Sequence, residues 1–369
     1  MLKILNIPRL RKAINRERIY TLMLAFIILV NAWIIFAQNI PAMKETFLAK
    51  RVFKLQLSEG LKEELQDEAL PDEKTLWTKV LKERGNLLFF LNLAGFLAVL
   101  VFSLGLFLDI RILLAKLKNR EIIQVKGRHA QVKWNIGDIF KLAIIFVFIG
   151  YIIHIIEVSF FSSSLSEEKN NLSFISLLNT GIMDLALLGF IVYFVKVKYS
   201  QNLAAIGLKI KGATKTIFLA VLSYIAFLPI LIFILLLLVL LAAVFDYQPP
   251  QQTLFKVFLR EERTGFLIYA TMMIVILGPI VEEVFFRGFA YTAIRKKWGI
   301  LRARAITAVV FAGLHGTLIG FLPITALGFL LAYMYEKTGS LISSITIHIL
   351  HNGLMLSFLF LVRYLIQLA

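Results

Sequence analysis

Residues 216–245 read TIFLAVLSYIAFLPILIFILLLLVLLAAVF, an apolar stretch without a single charged side chain. A hydrocarbon core ~30 Å thick is crossed by about 20 helical residues, so this stretch is long enough to span a membrane. Further apolar stretches, separated by polar or charged segments, lie at about 20–38, 87–108, 139–161, 174–195, 265–290, 305–320, 322–336 and 340–362. The sequence therefore predicts an all-α fold, a polytopic integral membrane helical bundle of about eight to nine transmembrane helices.

The composition agrees with this prediction and excludes several functional classes. The chain is 59% hydrophobic and only 17% charged, which is too apolar for a soluble globular enzyme. It has no cysteine, which excludes disulfides, thiolate metal ligands and a cysteine nucleophile. In a membrane chain, the formal net charge of +17 is an indicator of topology rather than of nucleic-acid binding.

Basic residues concentrate in alternate segments between the apolar stretches. Segments 111–141, 196–215 and 295–304 are strongly basic, whereas 39–86 and 246–263 carry balanced charges. The positive-inside rule places the basic segments and the N-terminus in the cytoplasm. We therefore expect a multi-pass protein of the bacterial cell membrane.

The order of the stretches predicts two regions. Region 1–200 is an N-terminal membrane region with four spans, and region 201–369 carries the remaining spans. Segment 39–86 has a helical pattern of leucine and charge that Pro71 breaks. We interpret it as a pair of amphipathic helices outside the membrane.

Polar residues inside apolar stretches concentrate near the C-terminal end of the chain. Such residues are costly in lipid, so they are functional hypotheses by default. Counted from the nearest basic residue at a helix end, Glu282, His315 and His348 lie 11 to 13 residues deep. At ~1.5 Å per residue this is roughly 16–20 Å. Three helices thus bring a carboxylate and two imidazoles to one level, in the cytoplasmic half of the membrane.

Spacing within each helix adds two pairs to this cluster. Glu283 and Arg287 are four residues apart, so they share a helix face and can form a charge-assisted pair. His348 and Asn352 have the same spacing and can present a ring N–H and an amide N–H side by side. Two aligned donors suit a developing oxyanion.

In chain order, these residues form three motifs on successive membrane helices. They read Glu-Glu-x-x-x-Arg (Glu282, Glu283, Arg287), Phe-x-x-x-His (Phe311, His315) and His-x-x-x-Asn (His348, Asn352). The ordered set resembles the CPBP intramembrane protease family, which includes CAAX prenyl endopeptidases and bacteriocin-processing proteins. The resemblance covers about 204–361, and the Ile-Gly-Leu element at 206–208 looks like the entry to that family's domain. Region 201–369 is therefore expected to be a CPBP-like domain.

The resemblance implies hydrolysis of peptide bonds in membrane-associated or lipidated peptides and proteins. Glu282 would be the general base and later the acid, and it would activate a water molecule held jointly with His315. His348 and Asn352 would stabilise the tetrahedral oxyanion. Glu283, Arg287 and Phe311 would support these four residues without touching the substrate.

The sequence leaves the metal question open. One glutamate and two histidines could bind zinc, and the family is often labelled as metalloproteases. The chain has no His-Glu-x-x-His helix, however. Related CAAX enzymes are better described by a glutamate-activated water without metal. We therefore predict that no cofactor is required.

Two other functions fit the same polar cluster. A non-proteolytic membrane scaffold or regulator could keep the cluster for folding. A proton-coupled transporter could use it as a relay, although the chain shows no duplicated half and no paired broken helices. The expected partners are the lipid bilayer and a membrane-embedded peptide or protein substrate, with no nucleic acid. The sequence gives no indication of the oligomeric state.

Overall fold

The computed structural model describes residues 17–38, 85–120, 127, 129–161, 169–247, 258–259 and 261–368. Regular structure within these ranges is entirely helical. The main helices are α1 (Arg18–Gln38), α2 (Gly85–Leu117), α3 (Ile136–Phe161), α4 (Lys169–Val192), α5 (Ala213–Val244), α6 (Thr264–Trp298), α7 (Ile300–Leu314), α8 (Leu318–Thr338) and α9 (Leu341–Leu368). The sequence predicts the amphipathic pair of helices at 39–86. Residues 39–84 of this range lie outside the described residues.

Seven of these helices are long and apolar enough to cross a membrane, namely α2 to α6, α8 and α9. The chain is thus an all-α, polytopic integral membrane protein, as the sequence predicts. The first apolar stretch forms α1. Its apolar part, Arg18–Trp33, is shorter than the seven helices that could cross a membrane. The stretch predicted at 305–320 corresponds to α7, which has only 15 residues. It ends before Gly316, whose φ of 65° is left-handed and interrupts the helix.

The chain divides into two compact units, which are considered separately. The first comprises residues 1–65 and 136–191. In it, the ring of Phe26 on α1 meets the ring of Phe148 on α3 edge-on, with centroids 5.3 Å apart. The second comprises residues 66–135 and 192–369 and contains every predicted site residue. The division of the sequence at residue 200 stays a prediction.

The core of the second unit lies where α5, α8 and α9 meet. Its buried residues are Ala220, Tyr224, Phe227, Leu231, Leu327, Leu331, Met334 and Ile347. Helix α7 packs closely against α8 because Gly328 has no side chain. A Cβ at Gly328 would lie 3.1 Å from Ala308 Cα. This close approach sets the spacing of the two helices beside the site.

Helix α6 is continuous but changes its hydrogen-bonding pattern twice. Its segments Met273–Leu277 and Val284–Tyr291 are π-helical, and they flank the α-helical segment Gly278–Glu283. Single π-helical turns inside α-helices occur frequently at functional sites. In α6 they lie directly before and after the turn that carries Glu282 and Glu283.

The Ile-Gly-Leu element at 206–208 holds the end of the bundle together. Ile206 is the last residue of a 3₁₀ turn, Leu203–Ile206, and Gly207 caps that turn with a φ of 90°. The Tyr335 hydroxyl on α8 donates to Ile206 O at 3.1 Å. A Cβ at Gly288 on α6 would lie 3.1 Å from Ile206 Cβ. Glycine at 288 thus lets the element lie directly on α6.

A segment without regular secondary structure, residues 129–135, also packs on α6 and α8. The fully buried Trp134 donates from Nε1 to Phe289 O at 3.0 Å. His129 Nε2 donates to the Glu336 carbonyl oxygen at 2.8 Å, since a carbonyl oxygen only accepts. The segment therefore links the chain after α2 to the unit that carries the site.

Candidate active site

A buried ion pair lies at the centre of the predicted cluster. Arg287 Nη1 donates to Glu283 Oε1 at 2.6 Å, and both side chains have no solvent exposure. The pair predicted from the four-residue spacing is therefore present. Arg287 Nη2 also donates to Gly328 O on α8 at 3.2 Å. These bonds offset the cost of removing two charges from water.

Aromatic rings enclose the guanidinium group of Arg287. Its Cζ lies 4.6 Å from the ring centroid of Phe311 and 5.7 Å from that of Phe286. The two rings meet edge-on, with centroids 5.2 Å apart. Cation–π contact and ring packing thus hold the arginine in one position.

Glu283 also binds the imidazole of His348. His348 Nδ1 lies 3.0 Å from Glu283 Oε1, and the ring is almost fully buried. A carboxylate oxygen accepts, so Nδ1 carries a proton in this contact. The other ring nitrogen, Nε2, lies 3.7 Å from Glu282 Oε2. Glu283 therefore orients His348 so that Nε2 faces Glu282.

The two adjacent glutamates have opposite environments. The Glu283 side chain is fully buried, whereas that of Glu282 is 38% exposed. Glu282 Oε2 is nevertheless buried and has no hydrogen-bond partner among the residues that the structure describes. The Glu282 side chain is thus partly exposed, and its buried Oε2 can bind a proton or a water molecule.

His315 lies one residue beyond α7. Its Nδ1 is 2.7 Å from Phe311 O, which accepts a hydrogen bond from the ring N–H. In the neutral ring Nε2 is then the unprotonated nitrogen. The ring centroid of Phe311 lies 4.7 Å from that of His315 and 5.6 Å from that of His348. Phe311 therefore contacts both imidazoles and the guanidinium.

Asn352 lies one turn after His348 on α9. Its Nδ2 donates to Ile274 O, in the first π-helical segment of α6, at 2.8 Å. The amide group is thus fixed against α6 instead of lying unpartnered beside His348. The structure joins Glu282, Glu283, Arg287, Phe311 and the two histidines by direct or shared contacts, and it places Asn352 on the next turn.

Two neighbours of this cluster do not follow from its motifs. Tyr224 O–H lies 3.2 Å from His351 Nδ1, which links α5 to α9 beside the site. A signal exists for each: Tyr224 is a lone phenol in the stretch 216–245, and His351 is three residues from His348. The carbonyl acceptors of Gly328 and Ile274 carry no such signal, because every residue has one.

Among the residues that the structure describes, the site does not offer a ligand set suited to zinc. Zinc needs three protein ligands or more, and no group of three histidine, aspartate or glutamate side chains suited to an ion occurs in the described part of the chain. That no cofactor is required stays a prediction.

Residues 264–354 match the family model "Rce1-like: Type II CAAX prenyl endopeptidase Rce1-like". This segment is Rce1-like. It contains every residue of the three motifs, so the resemblance to the CPBP proteases is confirmed. The Ile-Gly-Leu element at 206–208 lies before the Rce1-like segment.

A curated relative matches part of the chain. "Putative membrane peptidase YdiL" of Bacillus subtilis (strain 168) is 36% identical over 77 residues, which is 21% of this chain and 32% of the relative. The chain therefore matches about a third of that protein's length. No solved structure matches the chain significantly.

Proposed function

We propose that the protein is an intramembrane endopeptidase that hydrolyses peptide bonds of membrane-associated or lipidated peptides with a glutamate-activated water. One observation carries the proposal. Glu282 is accessible, its Oε2 has no hydrogen-bond partner in the described structure, and it faces an imidazole that a buried ion pair holds in place. The Rce1-like segment supports the same reaction class.

The reaction begins with water. Glu282 takes a proton from the water molecule, which also donates to His315 Nε2, and the resulting hydroxide attacks the carbonyl carbon of the substrate. The carbonyl oxygen becomes a tetrahedral oxyanion. The C–N bond then breaks as Glu282 returns its proton to the leaving nitrogen. The products are a new carboxylic acid, which then loses its proton to solvent, and a new amine.

His348 and Asn352 stabilise the oxyanion in this proposal. His348 Nδ1 already donates to Glu283, so Nε2 donates to the oxyanion only when the ring carries both protons. Asn352 has two amide protons, of which one bonds Ile274 O. Preorganised donors of this kind are worth a factor of about 10² to 10³ each in kcat.

The location follows from the charge pattern. We infer a bacterial cell membrane protein with a cytoplasmic N-terminus and the site in the cytoplasmic half of the bilayer. The substrate is then a peptide that lies in the membrane or is anchored there by a lipid.

The test is the substitution Glu282→Gln. The full chain, purified in detergent, is incubated with a library of fluorogenic membrane peptides. We expect Glu282→Gln to reduce cleavage at least ~10³-fold, because an amide cannot take the proton from water. The matched control is Glu262→Gln, which alters an exposed carboxylate just before α6 and should cleave like the wild type.

Two outcomes contradict the proposal in different ways. Cleavage that survives Glu282→Gln would show that another group is the base. A wild-type chain that cleaves no peptide in the library would favour the scaffold function.

A further inference from the structure

We propose that Pro279 is a positioning residue that reserves the Ile274 carbonyl for the side chain of Asn352. The inference rests on the proposed function, in which Asn352 is a donor to the oxyanion. It concerns the first π-helical segment of α6, Met273–Leu277.

Hydrogen bonding at the end of this segment is displaced by one residue. Gly278 N–H donates to Met273 O, five residues back, which is the π-helical pattern. In an α-helix the same N–H would go to Ile274 O. The π-helical donor for Ile274 O is the N–H of residue 279, but residue 279 is proline and has none. Neither pattern thus supplies Ile274 O with a donor.

A side chain of another helix takes this place. Asn352 Nδ2, on α9, donates to Ile274 O at 2.8 Å. An unpaired carbonyl in an apolar environment is costly, so the contact stabilises α6 as well as the asparagine. The carboxamide has a second N–H, which can donate to another acceptor.

Gly278 permits the displaced hydrogen bond. A Cβ at this position would lie 2.9 Å from Met273 O, a distance that real side chains essentially never show. Gly278 and Pro279 together therefore form the acceptor site for Asn352. They precede Glu282 by only a few residues, so one short segment of α6 carries the base and fixes the amide.

Fixing one N–H of Asn352 also fixes the direction of the other. A donor that is already oriented before the reaction does not have to reorganise when the oxyanion forms. Replacing Pro279 by alanine returns an N–H to residue 279. This N–H then competes for Ile274 O and releases the Asn352 side chain.

The first test is a thermal-stability cycle on the full chain in detergent. The variants are Asn352→Ala, Pro279→Ala and the double substitution. We expect Asn352→Ala alone to lower Tm by about 4 °C, because it leaves a carbonyl unpaired. The loss should be less than half as large when Pro279→Ala is present. Equal losses in the two backgrounds would overturn the proposal.

Two further comparisons keep this cycle interpretable. Pro229 lies inside α5, so Pro229→Ala is the matched control and should leave the effect of Asn352→Ala unchanged. If Pro279→Ala does not fold, Asn352→Leu tests the contact itself, because leucine has a similar volume and cannot donate. It should lower Tm, and an unchanged Tm would overturn the proposal.

The second test is kinetic. A donor that acts on the oxyanion affects the transition state, so Pro279→Ala should lower kcat roughly tenfold and leave KM within about twofold. A residue with a merely structural role would not produce this split, and an unchanged kcat contradicts the inference. If the wild type cleaves no peptide, the proposed function fails, and the stability cycle alone then decides whether Pro279 and Asn352 are coupled.

Discussion

Glu283 is the residue on which the geometry of the site depends. One of its oxygens accepts from Arg287 at 2.6 Å and from His348 at 3.0 Å. The same oxygen thus joins two helices, α6 and α9, and sets the ring orientation beside Glu282. In the proposed mechanism, a residue that does not contact the substrate therefore controls the orientation of residues that do.

Breaking this buried ion pair should be more harmful than removing it. Glu283→Gln leaves Arg287 as an uncompensated buried charge, so we expect a loss of about 3–5 kcal/mol in the free energy of unfolding. The double substitution Glu283→Gln, Arg287→Met should recover part of that loss. Unfolding of the purified protein in detergent measures both. A double variant that is less stable than the single one would contradict this expectation.

The chain contains a matched control for the buried pair. Glu261 and Arg263 also form an ion pair, with Nη2 and Oε2 2.8 Å apart, but the Arg263 side chain is 40% exposed. Arg263 holds the pKa of Glu261 below its ordinary value. Because water screens an exposed pair, Glu261→Gln should cost no more than about 1 kcal/mol.

The lowered pKa of His129 predicts how the stability of the protein responds to pH. Burial lowers the pKa of His129, with a further lowering by Arg295 and Lys209, and Glu336 opposes the shift. The folded ring therefore stays neutral where the unfolded ring takes up a proton. Stability should fall as the pH drops below about 6.5, toward the lower pKa of the folded state.

The substitution His129→Gln isolates this contribution. Glutamine cannot take up a proton but retains an N–H for the Glu336 carbonyl. We expect the decrease in Tm between pH 7 and pH 5 to be smaller in His129→Gln than in the wild type. An equal decrease would show that other groups dominate the pH dependence.

Local spacing predicts contacts along one helix, and packing decides those between helices. The pair of Glu283 and Arg287 could be predicted, because four residues return to one helix face. The bond between Glu283 and His348 could not, because it depends on the rotation of α9 against α6. The same holds for Asn352, which the sequence places beside His348 and the structure bonds to Ile274.

Among the elements, α6 departs most from a regular helix. Its π-helical segments, Met273–Leu277 and Val284–Tyr291, have no periodic signature in the sequence. Helix α7 also differs from expectation, since glycine at 316 ends it early. Apolar length thus predicts where helices lie, and backbone detail decides where they are interrupted.

The close packing of α7 and α8 predicts the effect of a single methyl group. Gly328→Ala places a Cβ 3.1 Å from the backbone of Ala308 and should lower Tm. Gly95→Ala on α2 is the control, because a Cβ there meets no atom within 4 Å. Alanine is favoured over glycine inside a helix by about 0.5–1 kcal/mol, so Gly95→Ala should not destabilise the protein. Equal stability of the two variants would show that α8 can move away without cost.

For the whole molecule, the absence of cysteine gives a direct test of topology. A single introduced cysteine is the only thiol in the protein. Lys211→Cys lies in a strongly basic segment and Tyr247→Cys in a balanced one, and both positions are exposed. The positive-inside rule predicts that a membrane-impermeant maleimide labels only Tyr247→Cys in intact cells. Labelling of Lys211→Cys alone would invert the topology.

Composition was sufficient for the membrane class and the helical fold, because long apolar stretches have few alternatives to helices in lipid. It could not indicate that α2 belongs with the helices of the site, while α3 and α4 form another compact unit. That grouping depends on contacts such as the one between Gly105 on α2 and the Ile225 carbonyl on α5.

The length of α6 has a consequence for how the cleaved bond of a substrate would be selected. Its 35 residues extend ~50 Å at 1.5 Å per residue, well beyond a hydrocarbon core of ~30 Å. A helix of this length must tilt in the membrane or extend beyond it. The positions of its ends therefore do not fix its depth in the bilayer. The depth of Glu282 is set by the crossings of α6 with its neighbours. In an intramembrane endopeptidase, the bond that is cut would then be chosen by distances within the protein, and bilayer thickness would act only on how deep the substrate lies.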